Sequence, residues 1–223
     1  MIDLKNKVVV ITGATSGLGA CLAEDLVRKG SKVVSISRSE PENFNSMVAY
    51  FNCDITDKDK VFSIISEIKK TFGSIDIFMN NAGLWIPHVP VEEETKEGVQ
   101  KMLDVNLFGT MFCTQAMLPI FKEKGSGVFV NTISTSALAG RPLSSGYASS
   151  KFAQDGFTKS VRVENKDKNI RVINLYPGGM KTHLFDAKKP DDYDTYMEPA
   201  EVSEKIIGFI SEEDGDEIII RRN

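Results

Sequence analysis

Lys7-Val8-Val9-Val10-Ile11-Thr12-Gly13-Ala14-Thr15-Ser16-Gly17-Leu18-Gly19 is the stretch that decides the fold. The β-branched run Lys7–Thr12 is short and has no polar face, so it reads as a strand buried on both sides. Glycines follow at once. They permit positive φ and let a diphosphate approach the backbone closely. Cys21, Leu22, Leu26 and Val27 then recur at helical spacing, and Gly30 closes that helix. A strand, a glycine turn and a helix form the first half of a βαβ unit, and such a turn faces the crevice where a doubly wound sheet binds ligands. The free N–H groups and the dipole at the helix start favour phosphate there. The spacing is G-x-x-x-G-x-G, not the G-x-G-x-x-G of the general dinucleotide fingerprint. Taken alone, the glycines also suit a tight turn with no ligand.

Working outward, strands are expected at Lys32–Ser37, Met47–Cys53, Ile75–Met79, Gly127–Ile133 and Ile170–Tyr176, with a short one at Glu217–Ile220. Between them lie helical stripes. One is capped by Thr56 or Asp57 and carries Val61, Ile64, Ile65 and Ile68. Others run near Thr95–Phe121, over Tyr147–Val163 and over about Pro199–Ser211. Strands alternating with helices predict an α/β fold: a doubly wound (Rossmann) parallel sheet with helices on both faces, as a single domain over 1–223. Residues 183–198 have no clear period and form a candidate substrate lid.

The 223 residues carry a net charge of −4, and no Lys/Arg block stands out. That argues against a nucleic-acid partner, because phosphate backbones need a basic face. No apolar run nears the roughly 20 residues of a membrane span, and none suits a signal segment. The expected location is therefore cytoplasmic. Cys21, Cys53 and Cys113 fit neither a disulfide framework nor a zinc site, and His88 and His183 match no ligand spacing, so no metal is expected. The hydrolase elbow G-x-S-x-G and the P-loop are both missing from the sequence.

The second strand ends Ile36-Ser37-Arg38-Ser39. An acid at this place bonds an adenosine ribose 2′-OH, whereas an arginine accommodates a 2′-phosphate. Arg38, helped by Ser37 and Ser39, therefore favours NADP(H). Glu40 stands two residues on and leaves NAD(H) open. Tyr147-Ala-Ser-Ser-Lys151 places a phenol and an ammonium one turn apart on one helix face. An adjacent ammonium favours the phenolate and lowers a phenol pKa near 10. Ser134, thirteen residues upstream, follows the fifth strand, where its loop enters the same crevice; Ser136 is its nearest competitor.

With Asp54 after the third strand, Asn80-Asn81-Ala82-Gly83 after the fourth, Asn106, and Pro177-Gly178 with Thr182, these motifs together resemble the short-chain dehydrogenase/reductase family over essentially the whole chain. The resemblance implies a dinucleotide held by Thr12, Gly13, Thr15, Ser16, Gly17, Leu18 and Gly19. It implies Asp54 and Ile55 at the adenine, Asn81, Ala82 and Gly83 along the ribose, and Asn80 bracing the sheet. Pro177, Gly178 and Thr182 would line the nicotinamide end. Lys151 would hold the nicotinamide ribose and lower the Tyr147 pKa. Asn106 would bind a water linking Lys151 to solvent, Ser134 would polarise a carbonyl, and Tyr147 would donate or accept the proton.

The reaction so implied is hydride transfer between the nicotinamide and a carbonyl or alcohol carbon of a small, hydrophobic substrate. Trp85, Leu143, Met180, Leu184, Phe185, Tyr193, Tyr196 and Met197 are candidates for the substrate wall. Phe108, Phe112, Phe152 and Phe157 lie on the two helices that commonly pair between subunits in the family, which suits a homodimer or homotetramer. A non-catalytic NADP(H)-binding redox sensor is the competing reading, but a sensor needs no proton donor. A hydride-borrowing epimerase or dehydratase normally carries a larger C-terminal part.

Overall fold

The structure, a computed structural model, describes residues 2–39, 45–212 and 215–222. Seven strands form one sheet in the order β3-β2-β1-β4-β5-β6-β7, all parallel. They are β1 (Val8–Thr12), β2 (Lys32–Ser37), β3 (Val48–Asn52), β4 (Ile77–Asn80), β5 (Gly127–Thr132), β6 (Ile170–Pro177) and β7 (Glu217–Ile220). The helices are α1 (Gly17–Arg28), α2 (Lys58–Phe72), α3 (Lys96–Leu103), α4 (Thr110–Lys124), α5 (Ser145–Asn165) and α6 (Pro199–Glu212). The chain winds outward from β1 to β3 and then returns to set β4 on the other side of β1. That reversal opens a crevice at the carboxyl ends of β1 and β4.

Alternation along β1 divides the core in two. Val9 and Ile11 join Leu22, Leu26, Val202 and Ile206 under α1 and α6. Val8 and Val10 join Ile65, Ile68, Met117, Phe121 and Val161 under α2, α4 and α5. Each such burial contributes about 1.5–3 kcal/mol, against about 1 kcal/mol net for one hydrogen bond, so the two cores, more than the ladder, hold the sheet. Register is fixed from within. Asn80, Asn131 and Asn174 stand opposite one another on β4, β5 and β6. Asn80 Nδ2 donates to Asn131 Oδ1 at 2.9 Å, and Asn131 Nδ2 donates to Asn174 Oδ1 at 3.0 Å. A one-residue slip would strand these buried amides, so Asn80 does brace the sheet.

Most element ends fall within two residues of the sequence expectation, and two departures have a visible cause. β4 begins at Ile77 rather than Ile75, because the Asp76 carboxylate takes the Val8 N–H at 2.9 Å and pairs with Lys124. The helix expected over Thr95–Phe121 is interrupted by a π-helical turn, Asp104–Gly109. The extra residue in that turn swings Asn106 inward, where its side chain is fully buried. Asn106 Nδ2 donates to Leu84 O and Ser150 Oγ, both at 2.9 Å, and Oδ1 accepts from Leu84 N at 2.8 Å.

The segment 183–198 holds two short 3₁₀ turns, His183–Phe185 and Tyr193–Thr195. A bridge between Met180 and Met197 and the Lys181–Glu198 ion pair at 2.7 Å tie its base together. Among the described residues, no helix is long and apolar enough to cross a membrane.

Candidate active site

A crevice of about 500 Å³ lies at the β1–β4 reversal. Gly13, Thr15, Ser16, Gly17, Leu18 and Gly19 form its floor. Gly13 and Gly17 hold φ of 70° and 54°, which L side chains rarely adopt. A Cβ on Gly19 would collide with the Gly13 carbonyl and the Asn81 amide. Ser16 precedes α1 in extended conformation and makes no side-chain cap, leaving the first N–H groups of α1 to the crevice. Thr12 stands behind this floor, almost wholly buried. Its hydroxyl accepts the Asn81 and Ala82 N–H groups, each at 3.0 Å, and so ties the end of β1 to the loop after β4. Asn81 Nδ2 adds a bond to Thr12 O at 3.1 Å.

At one end of the crevice stand Ser37, Arg38, Asp54 and Ile55. Arg38 is exposed, and among the described residues no carboxylate pairs with it. Its carbonyl accepts from Asn52 Nδ2 at 2.8 Å, which fixes the backbone at the end of β2. Glu40 lies outside the described residues. Asp54 Oδ1 accepts from Thr56 N at 2.9 Å and Thr56 Oγ1 at 2.8 Å, holding the turn that presents Ile55.

At the other end stand Asn81, Ala82, Gly83, Ser134, Tyr147, Lys151, Pro177, Gly178 and Thr182. The first turn of α5 carries Tyr147, and Lys151 follows one turn later. Glu94 Oε1 accepts the Gly146 N–H at 3.1 Å and so holds the start of α5. The Ser134 hydroxyl accepts the Ser136 N–H at 3.0 Å and lies near enough to the phenol to favour its ionised form. Burial dominates the electrostatics. It pushes the Tyr147 phenol up to about 12, with Ser134 and then Arg141 drawing it back, and it pushes the Lys151 ammonium down to about 7. Lys151 Nζ lies 6.0 Å from the Tyr147 ring centroid and donates to Thr132 O at 3.2 Å and Gln154 Oε1 at 2.8 Å.

All the residues read from sequence as site residues therefore line one crevice, except Thr12 and Asn106, which stand behind its wall as struts. Asn106 Oδ1 would lie only 3.4 Å from a Cβ on Gly83, and Lys151 Nζ 3.8 Å from it, so the strut backs directly onto the site.

Of the wall candidates, Trp85, Met180, Leu184, Phe185 and Tyr196 face the crevice. Leu143 turns outward and Met197 packs into the core. Tyr193 supports Phe185 and Tyr196 at 6.0 and 5.5 Å instead of lining the crevice itself. His88 and Arg141 complete the wall. Burial holds His88 below its ordinary pKa, and among the described residues its Nε2 has no hydrogen-bond partner. Sequence reasoning missed Arg141, Gln154 and Thr132. The first sits in a loop of no period, and the other two are ordinary polar residues until the face they share with Lys151 is known.

The geometry calls for comparison with known proteins. The chain matches the short chain dehydrogenase family over residues 7–193. It is 34% identical over 196 residues to a "3alpha-hydroxysteroid dehydrogenase" of Mediterraneibacter gnavus, covering 82% of this chain and 78% of that protein. Two solved structures superpose with a TM-score of 0.86 each. One is 3-ketoacyl-(acyl-carrier-protein) reductase from Brucella melitensis complexed with NADH, 27% identical, covering 94% of this chain and 92% of that one. The other is ElxO with NADP bound, 28% identical, covering 96% and 97%. A seven-stranded parallel sheet, a glycine turn at its switch point and a sequence match over most of the length agree, and the chain belongs to the short-chain dehydrogenase family.

Proposed function

We propose that the protein is an NADP(H)-dependent oxidoreductase acting between a carbonyl and its alcohol, with Tyr147 as proton donor and acceptor. The observation that carries this reading is the phenol of Tyr147, beside Ser134 and one helical turn from Lys151, at one end of a crevice floored by glycine-turn N–H groups. The residues fit a dinucleotide. Gly13, Gly17 and Gly19 leave room that a Cβ would fill, and the start of α1 offers unspent donors to a diphosphate. When bound, the nicotinamide supplies or takes the hydride.

The chain's own residues do the rest. Ser134 donates to the substrate oxygen and polarises the carbonyl. A phenol held near 12 stays protonated at neutral pH and gives up its proton only as that oxygen gains alkoxide basicity. Oxidation needs the phenolate, which Ser134 and the Arg141 guanidinium favour, and Lys151 is placed to hold the nicotinamide ribose. Asn106 braces Leu84 and Ser150, and through Ser150, which donates to Tyr147 O at 2.8 Å, it steadies the first turn of α5. The aromatic wall of Trp85, Phe185 and Tyr196 suits a small, largely apolar substrate, and residues 183–198 form the roof that closes over it. A panel of aldehydes, ketones, quinones and sugars, scored by NADPH absorbance loss, tests the reading. Tight NADPH binding with no turnover across the panel would favour the redox-sensor alternative.

Arg38 supports a preference for NADP(H) over NAD(H). A charge-assisted bond to a phosphate is worth about 1.5–3 kcal/mol, so NADPH is expected to bind roughly ten- to a hundredfold more tightly than NADH. Arg38→Asp is expected to invert the order. Trp85, the chain's one tryptophan, lines the crevice and reports both titrations by fluorescence; equal affinities for the two nucleotides in the parent would refute the assignment.

The protein is further proposed to be cytoplasmic and to assemble as a homodimer or homotetramer. Phe108 and Phe152 stay 36% and 47% exposed next to α4 and on α5, while Phe112 and Phe157 pack toward the core. Phe152→Glu is expected to shift the assembly toward monomer in analytical ultracentrifugation; an unchanged sedimentation profile would remove α5 from the interface.

A further inference from the structure

We infer that Gln154 is a positioning residue for Lys151, and that its buried amide, held by Thr110, fixes the Lys151 side chain where it faces the crevice beside Tyr147. This rests on the Tyr147–Lys151 reading above and adds a residue to it.

Gln154 lies on α5 one turn beyond Lys151 and is fully buried, as a glutamine seldom is. Its Oε1 accepts from Lys151 Nζ at 2.8 Å, and its Nε2 donates to Thr110 Oγ1 at 3.0 Å. Thr110 in turn donates to Asn106 O at 2.9 Å. The direction of every bond in this chain follows from its far end. A carbonyl only accepts, so the Thr110 hydroxyl must donate to Asn106 O. That hydroxyl then accepts from Nε2, and the amide oxygen is left facing Lys151. All three donors point the same way, so each bond polarises the next and the negative end of the chain falls on the ammonium.

The geometry also orients Lys151. An ammonium has three N–H groups on a free rotor. Thr132 O, at 3.2 Å, takes one and Gln154 Oε1 takes another, both from fixed buried positions. Two anchors stop the rotor and leave the third N–H to the crevice that Lys151 lines. Burial alone would drive this lysine toward its neutral form; the amide oxygen opposes that. The titratable and charged groups bearing on the pair are Tyr147 and Lys151 themselves, on α5, and Arg141 on the loop before it. From the π turn, α4 and β5 the facing groups, Asn106, Thr110 and Thr132, are neutral. The chain holds Lys151 without relaying protons, because an amide nitrogen does not readily pass one on.

The test reads Lys151 itself and needs no substrate. In the nucleotide-free protein, unfolding free energy is followed against pH by urea denaturation, and the same protein carrying Lys151→Met is subtracted to isolate the Lys151 titration. Gln154→Leu combined with Thr110→Val removes the acceptor without leaving a buried amide or hydroxyl unpaired, which protects folding. In that protein the folded-state Lys151 midpoint is expected to fall by about one pH unit, a roughly tenfold loss of ammonium at a given pH. Gln154→Glu restores an oxygen at the same reach and adds charge, so it is expected to raise the Lys151 midpoint above the parent's. A midpoint unmoved in the double variant, or displaced downward equally by Leu and Glu, overturns the proposal and leaves Gln154 a packing residue. A pH profile that Lys151→Met itself fails to change overturns both this proposal and the buried-ammonium reading beneath it.

Discussion

Tyr147→Phe is expected to lower kcat by about a thousandfold, within the range of 10²–10⁴ typical for a positioned acid–base group, while the affinity for NADPH stays within about twofold. The two halves of this expectation have different physical origins. The ring of Tyr147 packs at the start of α5, and phenylalanine keeps that packing. The glycine turn, Arg38 and Thr182 do not touch the missing oxygen, so the nucleotide loses nothing it depends on. What disappears is the phenol hydroxyl beside Ser134. Ser134 can still polarise a carbonyl, which leaves residual turnover above zero. In the parent, a phenol held near 12 makes reduction nearly independent of pH through the neutral range, whereas oxidation, which needs the phenolate, climbs with pH. In the variant both profiles are expected to lose that distinction. Steady-state kinetics beside a Trp85 fluorescence titration would decide the matter; near-normal turnover with intact binding would end the assignment of Tyr147 as the proton carrier.

The fold was legible because its signals were local and redundant. Val8–Thr12 is β-branched throughout, apolar up to Ile11 and followed by Gly13, and the structure buries all five residues. Lys32–Ser37 and Glu217–Ile220 lie where their pattern put them. The interruption at Asp104–Gly109 was not legible, since no glycine or proline opens that turn. It forms because Asn106 finds Leu84 and Ser150, partners 22 and 44 residues away. The same distinction divides the site. Gly13, Gly17 and Gly19 carry a backbone requirement that sequence displays directly. Gln154 and Thr132 matter only through what they face, and which face of α5 turns inward is settled by packing. Tyr193 and Met197 were drawn toward the substrate by their position after β6, yet the Met180–Met197 bridge turns Met197 into the core and leaves Tyr193 as a buttress.

Lys151→Met is expected to make the nucleotide-free protein more stable near neutral pH while removing most of its turnover. Lys151 is only 3% exposed, and burial brings its pKa from 10.5 down to about 7. The unfolded chain keeps the ordinary value, so below pH 7 both states carry the charge and folding bears the full cost of burying it. As pH rises from about 7 toward 10.5, the folded protein sheds the proton first, the cost fades, and above that window it is gone. Tyr147 has the opposite shift, from 10 to about 12, and acts only above pH 10, where the unfolded chain ionises first and stability falls. Between pH 7 and 10, Lys151 therefore sets the slope of this pair.

A depression of that size corresponds to about 5 kcal/mol at roughly 1.4 kcal/mol per pH unit, and the orphaned Gln154 oxygen takes back about 1–3 kcal/mol of it. The net gain for the methionine variant is then about 2–4 kcal/mol at pH 7, or roughly 4–16 °C in Tm for a domain of this size. The rising limb between pH 7 and 10 is expected to flatten with it. Urea denaturation of parent and variant across that range measures both quantities. A parent whose stability is flat there, together with a variant that is no more stable, would mean that the crevice solvates this ammonium well, and the strained, functional lysine described above would have to be abandoned.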